Sequence, residues 1–201
     1  MSVQPVQAAP RRARDHRRNA RRTQLLGAAI EAIRARGPGV TMEQIASAGG
    51  VTKPILYRHF GDRDGLVNAV VERFSADLLR SVTTPLVAQA TAREALRATV
   101  DSYVGFIERE TNLYRFMVQH PLGTSGNGAL SLVDRIAGEV ALVAATRLRL
   151  TGRDPRGALP WAYGIVGLVH QAGDWWVDDQ TMTREALVDH LVSLLWDGLG
   201  A

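Results

Sequence analysis

Between Thr52 and His59 the sequence gathers side chains suited to a polyanionic surface. Thr52, Lys53, Pro54, Tyr57, Arg58 and His59 supply hydroxyls, two cations, an imidazole and two apolar rings within eight residues. On a helix, Lys53, Pro54, Tyr57 and Arg58 lie at i, i+1, i+4 and i+5 and share one face. Lys53, the only lysine of the chain, can reach guanine O6 or N7, or a phosphate. Pro54 can pack on a thymine methyl or a sugar edge, and Tyr57 and His59 suit phosphate oxygens.

Other chemistries find little support. The chain has no cysteine, which excludes disulfides, thiolate metal sites and a cysteine nucleophile. Its five histidines are scattered, none at ligand spacing from another, so no metal is expected. Asp101, Glu108 and Glu110 stand at helical spacing but read as a solvated face. There is no phosphate-binding glycine loop and no nucleophile elbow. The expectation is a protein that is not an enzyme and needs no cofactor.

The elements that must position the Thr52–His59 stretch are helices. Leu25, Leu26, Ala29, Ile30 and Ile33 recur at three- and four-residue spacing from about Arg18, and Gly37-Pro38-Gly39 ends that helix. Thr41 caps a short helix from Met42 to Ala48, and Gly49-Gly50 end it. Thr52 caps a third, with Pro54 in its first turn where a missing N–H costs nothing. Gly61 breaks it at about Phe60, and Asp62 caps a fourth helix over about 63–82. Further helices are expected at about 92–109, 112–118, 128–150, 156–178 and 183–199. Breaks fall at Pro121–Gly128, Gly152–Pro155 and Asp178–Thr181, and no segment shows strand alternation.

Within this frame, Ala46 is small where two helices must cross, and Gly50 stands where the chain must take positive φ. Ile45, Val51, Ile55 and Leu56 supply the core contacts. That combination is a helix-turn-helix pattern, whose second helix enters a major groove. Free N–H groups at the helix starts near Thr41–Met42 and Asp62–Arg63 add phosphate-binding positions. A plain three-helix bundle would satisfy the same core pattern, but charge argues against it. Residues 1–60 hold eleven basic and three acidic residues, and the remainder thirteen and seventeen. A basic head on a mildly acidic body is the electrostatic mark of a nucleic-acid partner.

The segment from Thr41 through Leu56-Tyr57-x-His59-Phe60 to Arg63 and Leu66 resembles the DNA-binding signature of the TetR family of repressors. The resemblance covers about residues 20–70. It departs at Pro54-Ile55, where the family commonly has Gly-Thr. It implies DNA contacts at Thr41, Lys53, Tyr57, His59 and Arg63. The DNA-binding set expected from spacing and resemblance together is Thr41, Met42, Thr52, Lys53, Pro54, Tyr57, Arg58, His59, Arg63, Arg21 and Arg22. An arginine-rich arm over residues 1–18 either lies in a narrow minor groove or stays a solvated tail.

The expected architecture is all-α. A helix-turn-helix head over 19–65 precedes a larger helical body over 66–201, with about nine helices in total. The last two helices, about 156–178 and 183–199, carry apolar stripes, and Gly164, Gly167 and Gly173 allow close approach. The resemblance implies that they pair with a second copy in a four-helix bundle, giving a homodimer on a palindromic operator. It also implies a pocket in the body for a small apolar effector that releases a repressor from double-stranded DNA. Candidate lining residues are Tyr103, Phe106, Ile107, Tyr114, Met117, His170, Asp174 and Trp175, with Phe116, Trp161 and Trp176 as further aromatics. Ordinary core packing is the alternative for each of them. A DNA-coating protein without a ligand is the alternative for the whole. No membrane span and no signal peptide is read in the sequence, so the expected compartment is the cytoplasm.

Overall fold

A computed structural model of the chain describes residues 9–88, 91–119 and 132–198. Among them are nine α-helices and no strand: α1 (Ala9–Arg36), α2 (Met42–Ala48), α3 (Lys53–Phe60), α4 (Arg63–Ala88), α5 (Ala92–Arg109), α6 (Thr111–Gln119), α7 (Leu132–Leu150), α8 (Ala158–Asp179) and α9 (Arg184–Asp197). A single 3-10 turn, Pro155–Gly157, leads into α8. No helix among the described residues is long and apolar enough to cross a membrane.

The first three helices close over Leu25, Ala29, Ile33, Ile45, Ala46 and Leu56, all buried. Helices α2 and α4 start as their capping residues direct. Thr41 accepts from the Gln44 N–H while Gln44 Oε1 accepts from the Thr41 N–H, a reciprocal capping box. Asp62 Oδ1 accepts from the Gly65 N–H at 2.7 Å at the start of α4. The long α4 then joins the two halves of the molecule. Its first turns pack Leu66, Val67 and Val70 against the head, and Leu78, Val82 and Leu86 continue into the body. There α4 meets α5 and α7, α7 pairs with α8, and α9 covers α5. Gly173 permits the α5–α8 approach, since a Cβ there would meet Tyr103 Cε1 at 2.8 Å.

Two boundaries differ from expectation. Residues 9–18, read as part of an irregular arm, form the first turns of α1. Alanine and arginine are strong helix formers, and Pro10 stands in the first turn, where it is tolerated. Residues 1–8 of that arm lie outside the described residues. The fourth helix continues past Val82 and through Pro85 to Ala88, because Leu86 is buried in the body and extends the packed face. The expected division between head and body at 65/66 falls within α4, as the expected fourth helix over about 63–82 also has it. The break at 121–128, the start of the helix expected from 128 and the end of the last helix at 199 also lie outside the described residues.

Candidate functional site

The turn between α2 and α3 has the geometry its residues require. Gly50 adopts φ +63, in the left-handed region that glycine enters freely. The chain reverses through Gly50 N–H to Ser47 O at 3.0 Å and Val51 N–H to Ala46 O at 2.9 Å. Leu56 and Phe60 then face inward from α3. Thr52, Pro54 and Arg58 are exposed, and Lys53, Tyr57 and His59 are half-exposed. Thr52 holds the N-cap backbone position without a side-chain cap bond, so its hydroxyl is not spent on the helix end.

The polar residues of this face are organised rather than independent. Lys53 Nζ pairs with Glu43 Oε1 at 2.7 Å and stands 5.8 Å from the centre of the Tyr57 ring. Their hydrogen bond raises the lysine pKa and lowers the carboxyl pKa. The bridge ties the first turn of α3 to α2. At the other end, Arg22 Cζ lies 4.9 Å over the Phe60 ring, which brings α1 beside the end of α3. Arg21 bonds Gln24 Oε1 at 2.7 Å. The His59 pKa is lowered by partial burial and then by Arg58, Arg21, Arg18 and Arg22. Four arginines from two helices thus converge on one histidine, and the basic surface is continuous from α1 to α3. Thr41 and Arg63 are exposed at the starts of α2 and α4. Met42 differs from the rest of the expected set: its side chain is buried, which leaves only its backbone N–H for a ligand.

Inside the body, α4, α5, α6, α7 and α8 enclose a cavity of about 170 Å³. Most of its wall is aliphatic, and Leu78, Val82, Ile136, Val140, Ile165 and Val166 are representative. The lining residues that are not aliphatic include Thr99 and Tyr103, one turn apart on α5, with Tyr114 and His170 from α6 and α8. The Tyr103 hydroxyl pairs with His170 Nδ1 at 3.0 Å, and the Tyr114 hydroxyl donates to Asp174 Oδ1 at 3.2 Å. Burial pushes the Tyr103 pKa up to about 12. Tyr114 is shifted upward as well, first by burial and then by Tyr103 and Asp174. Both rings therefore stay protonated and act as neutral hydrogen-bonding groups.

Of the residues expected to line a pocket, the structure brings Tyr103, Tyr114, Met117 and His170 to this cavity. The others stand elsewhere. Phe106 packs edge-to-face on Phe74, centroids 5.1 Å apart, at the junction with α4. Ile107 is fully buried in the core, close under Gly173. Asp174 stands behind Tyr114 rather than in the wall. Trp175 is 43% exposed and Trp161 51% exposed, both outward on α8. Phe116 and Trp176 are buried core residues, and the Trp176 indole N–H donates to Met182 O at 2.8 Å. Thr99 and the aliphatic walls of α4 and α7 were missed. Nothing in residue type distinguishes a leucine that faces a void from one that faces another leucine.

A second feature invisible in the sequence joins head to body. Arg34, near the end of α1, reaches Glu110 with Nε at 2.8 Å and Nη2 at 2.7 Å. Asn112 donates to the Arg34 carbonyl at 2.7 Å. The Arg34 pKa is raised, chiefly by Glu110. The clamp fixes α1 to the α5–α6 corner.

Two family models match the chain. The N-terminal one, bacterial regulatory proteins of the tetR family, covers residues 25–70, and the other, a tetracyclin repressor-like C-terminal domain, covers 81–201. An uncharacterized HTH-type transcriptional regulator of Mycobacterium tuberculosis is 33% identical over 180 residues, 89% of this chain and 77% of that protein. The HTH-type transcriptional activator FasR of Mycolicibacterium smegmatis is 31% identical over 186 residues, 90% of this chain and 84% of that one. Among solved structures, a tetR-family transcriptional regulator from Streptomyces coelicolor superposes with TM-score 0.70 at 23% identity, covering 88% of this chain and 79% of its own. FadR from Bacillus subtilis in complex with stearoyl-CoA has TM-score 0.64 at 20% identity, with 88% and 98% covered. AibR in complex with isovaleryl coenzyme A and operator DNA has TM-score 0.64 at 22% identity, again with 88% and 98% covered.

Proposed function

The chain belongs to the TetR family of DNA-binding transcriptional regulators, and on that premise we propose that it is a cytoplasmic homodimeric repressor released from a palindromic operator by an apolar effector. The observation that carries the reading is the outward face of α3. Lys53, Tyr57, Arg58 and His59 project from a helix held by a helix-turn-helix core and flanked by the arginines of α1. In this reading α3 enters the major groove, with Thr52, Lys53, Pro54 and Tyr57 at base edges and the sugar-phosphate backbone. Arg21, Arg22, Thr41, Arg58, His59 and Arg63 hold phosphates, and Met42 contributes its backbone N–H alone.

Residues 19–65 are the reading unit and 66–201 the sensing and pairing unit. Two copies meet through α8 and α9, where Trp161, Trp175 and Trp196 are exposed apolar side chains. Gly164 and Gly167 stand on the same exposed part of α8 with open space before them. The effector occupies the cavity between α4 and α8. The acyl-CoA ligands of the two solved relatives support an effector with an apolar chain. Because α4 both lines the cavity and packs on the head, ligand that prefers one α4 position alters the spacing of the two reading heads.

The test is a Tyr57→Ala variant on a palindrome selected from random DNA. Wild type prefers the palindrome over random sequence by at least about a thousandfold. Tyr57→Ala loses that preference while its mass by light scattering is unchanged. A variant that kept wild-type affinity would overturn the assignment of the face.

A further inference from the structure

The first sixty residues hold three carboxylates, Asp15, Glu31 and Glu43. Glu31 pairs with Arg34 on its own helix. Glu43 instead reaches from the first turn of α2 to Lys53, the first residue of α3, at 2.7 Å. Glu43 is exposed and Lys53 half-exposed. A carboxylate on a surface that meets a phosphate chain repels it and lowers affinity. An exposed ion pair adds little to stability, so the fold alone does not account for it. Lys53 also sits where the dipole of α3 disfavours a cation, and the first turn of α3 has no acid of its own. The ammonium is thus held on two sides, by the Glu43 carboxylate and by the Tyr57 ring, whose centre is 5.8 Å away. Arg21 and Arg22, cations of the same surface, engage a neutral amide and a ring instead.

We propose that Glu43 is a specificity-determining residue: it holds Lys53 so that the ammonium serves a guanine edge and is withheld from phosphates. The proposal rests on the reading above, in which α3 enters the major groove with Lys53 at base edges. An ammonium carries three protons. One is spent on Glu43 Oε1, and two remain for guanine O6 and N7. Those acceptors are neutral, so Glu43 stays in place when Lys53 meets them. A phosphate is an anion. Drawing Lys53 to it either breaks the bridge or brings the phosphate beside the Glu43 carboxylate, and both offset the gain. The pair as a unit is neutral and adds little to the binding of arbitrary sequence, while its free N–H groups still read a base. Specificity is a difference of affinities, and an element that repels the wrong target raises it as a contact to the right one does. Glu43 acts through Lys53 and is a positioning residue.

The experiment uses the full chain as wild type, Glu43→Gln, Glu43→Asp, Lys53→Met and the double variant Glu43→Gln with Lys53→Met. The DNAs are the palindrome selected with wild type, its single-base-pair variants and a random duplex of equal length. Affinities are read by fluorescence anisotropy from about 50 to 200 mM KCl. Glu43→Gln should bind the random duplex about three- to tenfold more tightly, with a log–log salt slope steeper by about 0.9, the mark of one more neutralised phosphate. Its affinity for the palindrome should change less, so its preference for the palindrome should fall at least about threefold. Glu43→Asp keeps the charge and should keep the wild-type slope. Lys53→Met should relax the preference at one base pair of each half-site, on the order of tenfold. Glu43→Gln should relax that same base pair, and should relax nothing further in the Lys53→Met background. Glu43→Gln should melt within about 2 °C of wild type, as expected for an exposed pair. An unchanged salt slope and palindrome preference in Glu43→Gln overturns the proposal and leaves the bridge a staple between α2 and α3. Relaxation at a different base pair also overturns it, because Glu43 would then contact a base itself. The two readings fail separately. If Lys53→Met relaxes a base pair and Glu43→Gln does not, the placement of α3 stands and the role of Glu43 falls. If Lys53→Met changes neither base preference nor affinity, Lys53 does not face base edges and the placement of α3 falls.

Discussion

Gly65 offers the sharpest test of how the head is joined to α4. It lies in the first turn of that helix, and a Cβ built on it would stand 2.0 Å from the Phe60 carbonyl oxygen and 3.1 Å from the Phe60 carbonyl carbon. Carbon and carbonyl oxygen ordinarily approach no closer than ~3.3 Å. Gly65→Ala must therefore open the α3–α4 joint by about 1 Å or more. The obstacle is backbone, so no side chain can rotate aside. Overpacking of this kind costs about 1–3 kcal/mol, and the rigid partner places the cost at about 2–3 kcal/mol. For a chain of this length that lowers Tm by about 4–12 °C. The joint also sets where α3 ends, and a displaced recognition helix loses base contacts of ~1–3 kcal/mol each. Operator affinity should fall at least about tenfold in fluorescence anisotropy. Gly138→Ala is the control, since a Cβ on α7 there meets nothing within 4 Å; it should leave Tm equal or raised and DNA binding unchanged. A Gly65→Ala protein that melts within a degree of wild type and binds operator normally would refute the reasoning.

Three further outcomes are expected. Glu110→Gln removes the bidentate partner of Arg34, which retains Glu31 at 2.6 Å. Arg34 is well exposed, so the loss is discounted to about 0.5–1 kcal/mol, and a Tm decrease of a few degrees checks it. His59 has a depressed pKa in the free protein, so its contribution to stability is present above the ordinary histidine range and is lost as pH falls through it. DNA phosphates would offset the surrounding arginines and favour the proton. Operator binding should therefore take up a proton and tighten as pH falls from about 7.5 to 6, and His59→Gln should abolish the proton uptake seen by calorimetry in buffers of different ionisation enthalpy. Replacing Trp161 and Trp175 together with glutamate should convert the proposed dimer to monomer in sedimentation, because each charge would fall within the proposed pairing face; an unchanged dimer places the interface elsewhere.

The sequence by itself determined most of the helices and which side chains of α3 share one face. Ala46, Gly50, Val51 and Leu56 act through local geometry, namely a tight crossing, a positive φ and a helical repeat, and local geometry is encoded by neighbours. For the same reason Lys53, Tyr57 and Arg58 could be placed on one face before any fold was known. Tertiary structure decided the interior. Whether Trp175 is buried or exposed depends on what packs against α8, and the structure turns it outward while Trp176 goes in. The cavity lies among aliphatic residues of five helices, and a void has no residue type. Arg34 and Glu110 are 76 positions apart, and their charges match many others in the chain. Long-range pairing arises only when separate helices are brought together. The outward face of α3 was therefore legible from residue order, and the cavity only from packing.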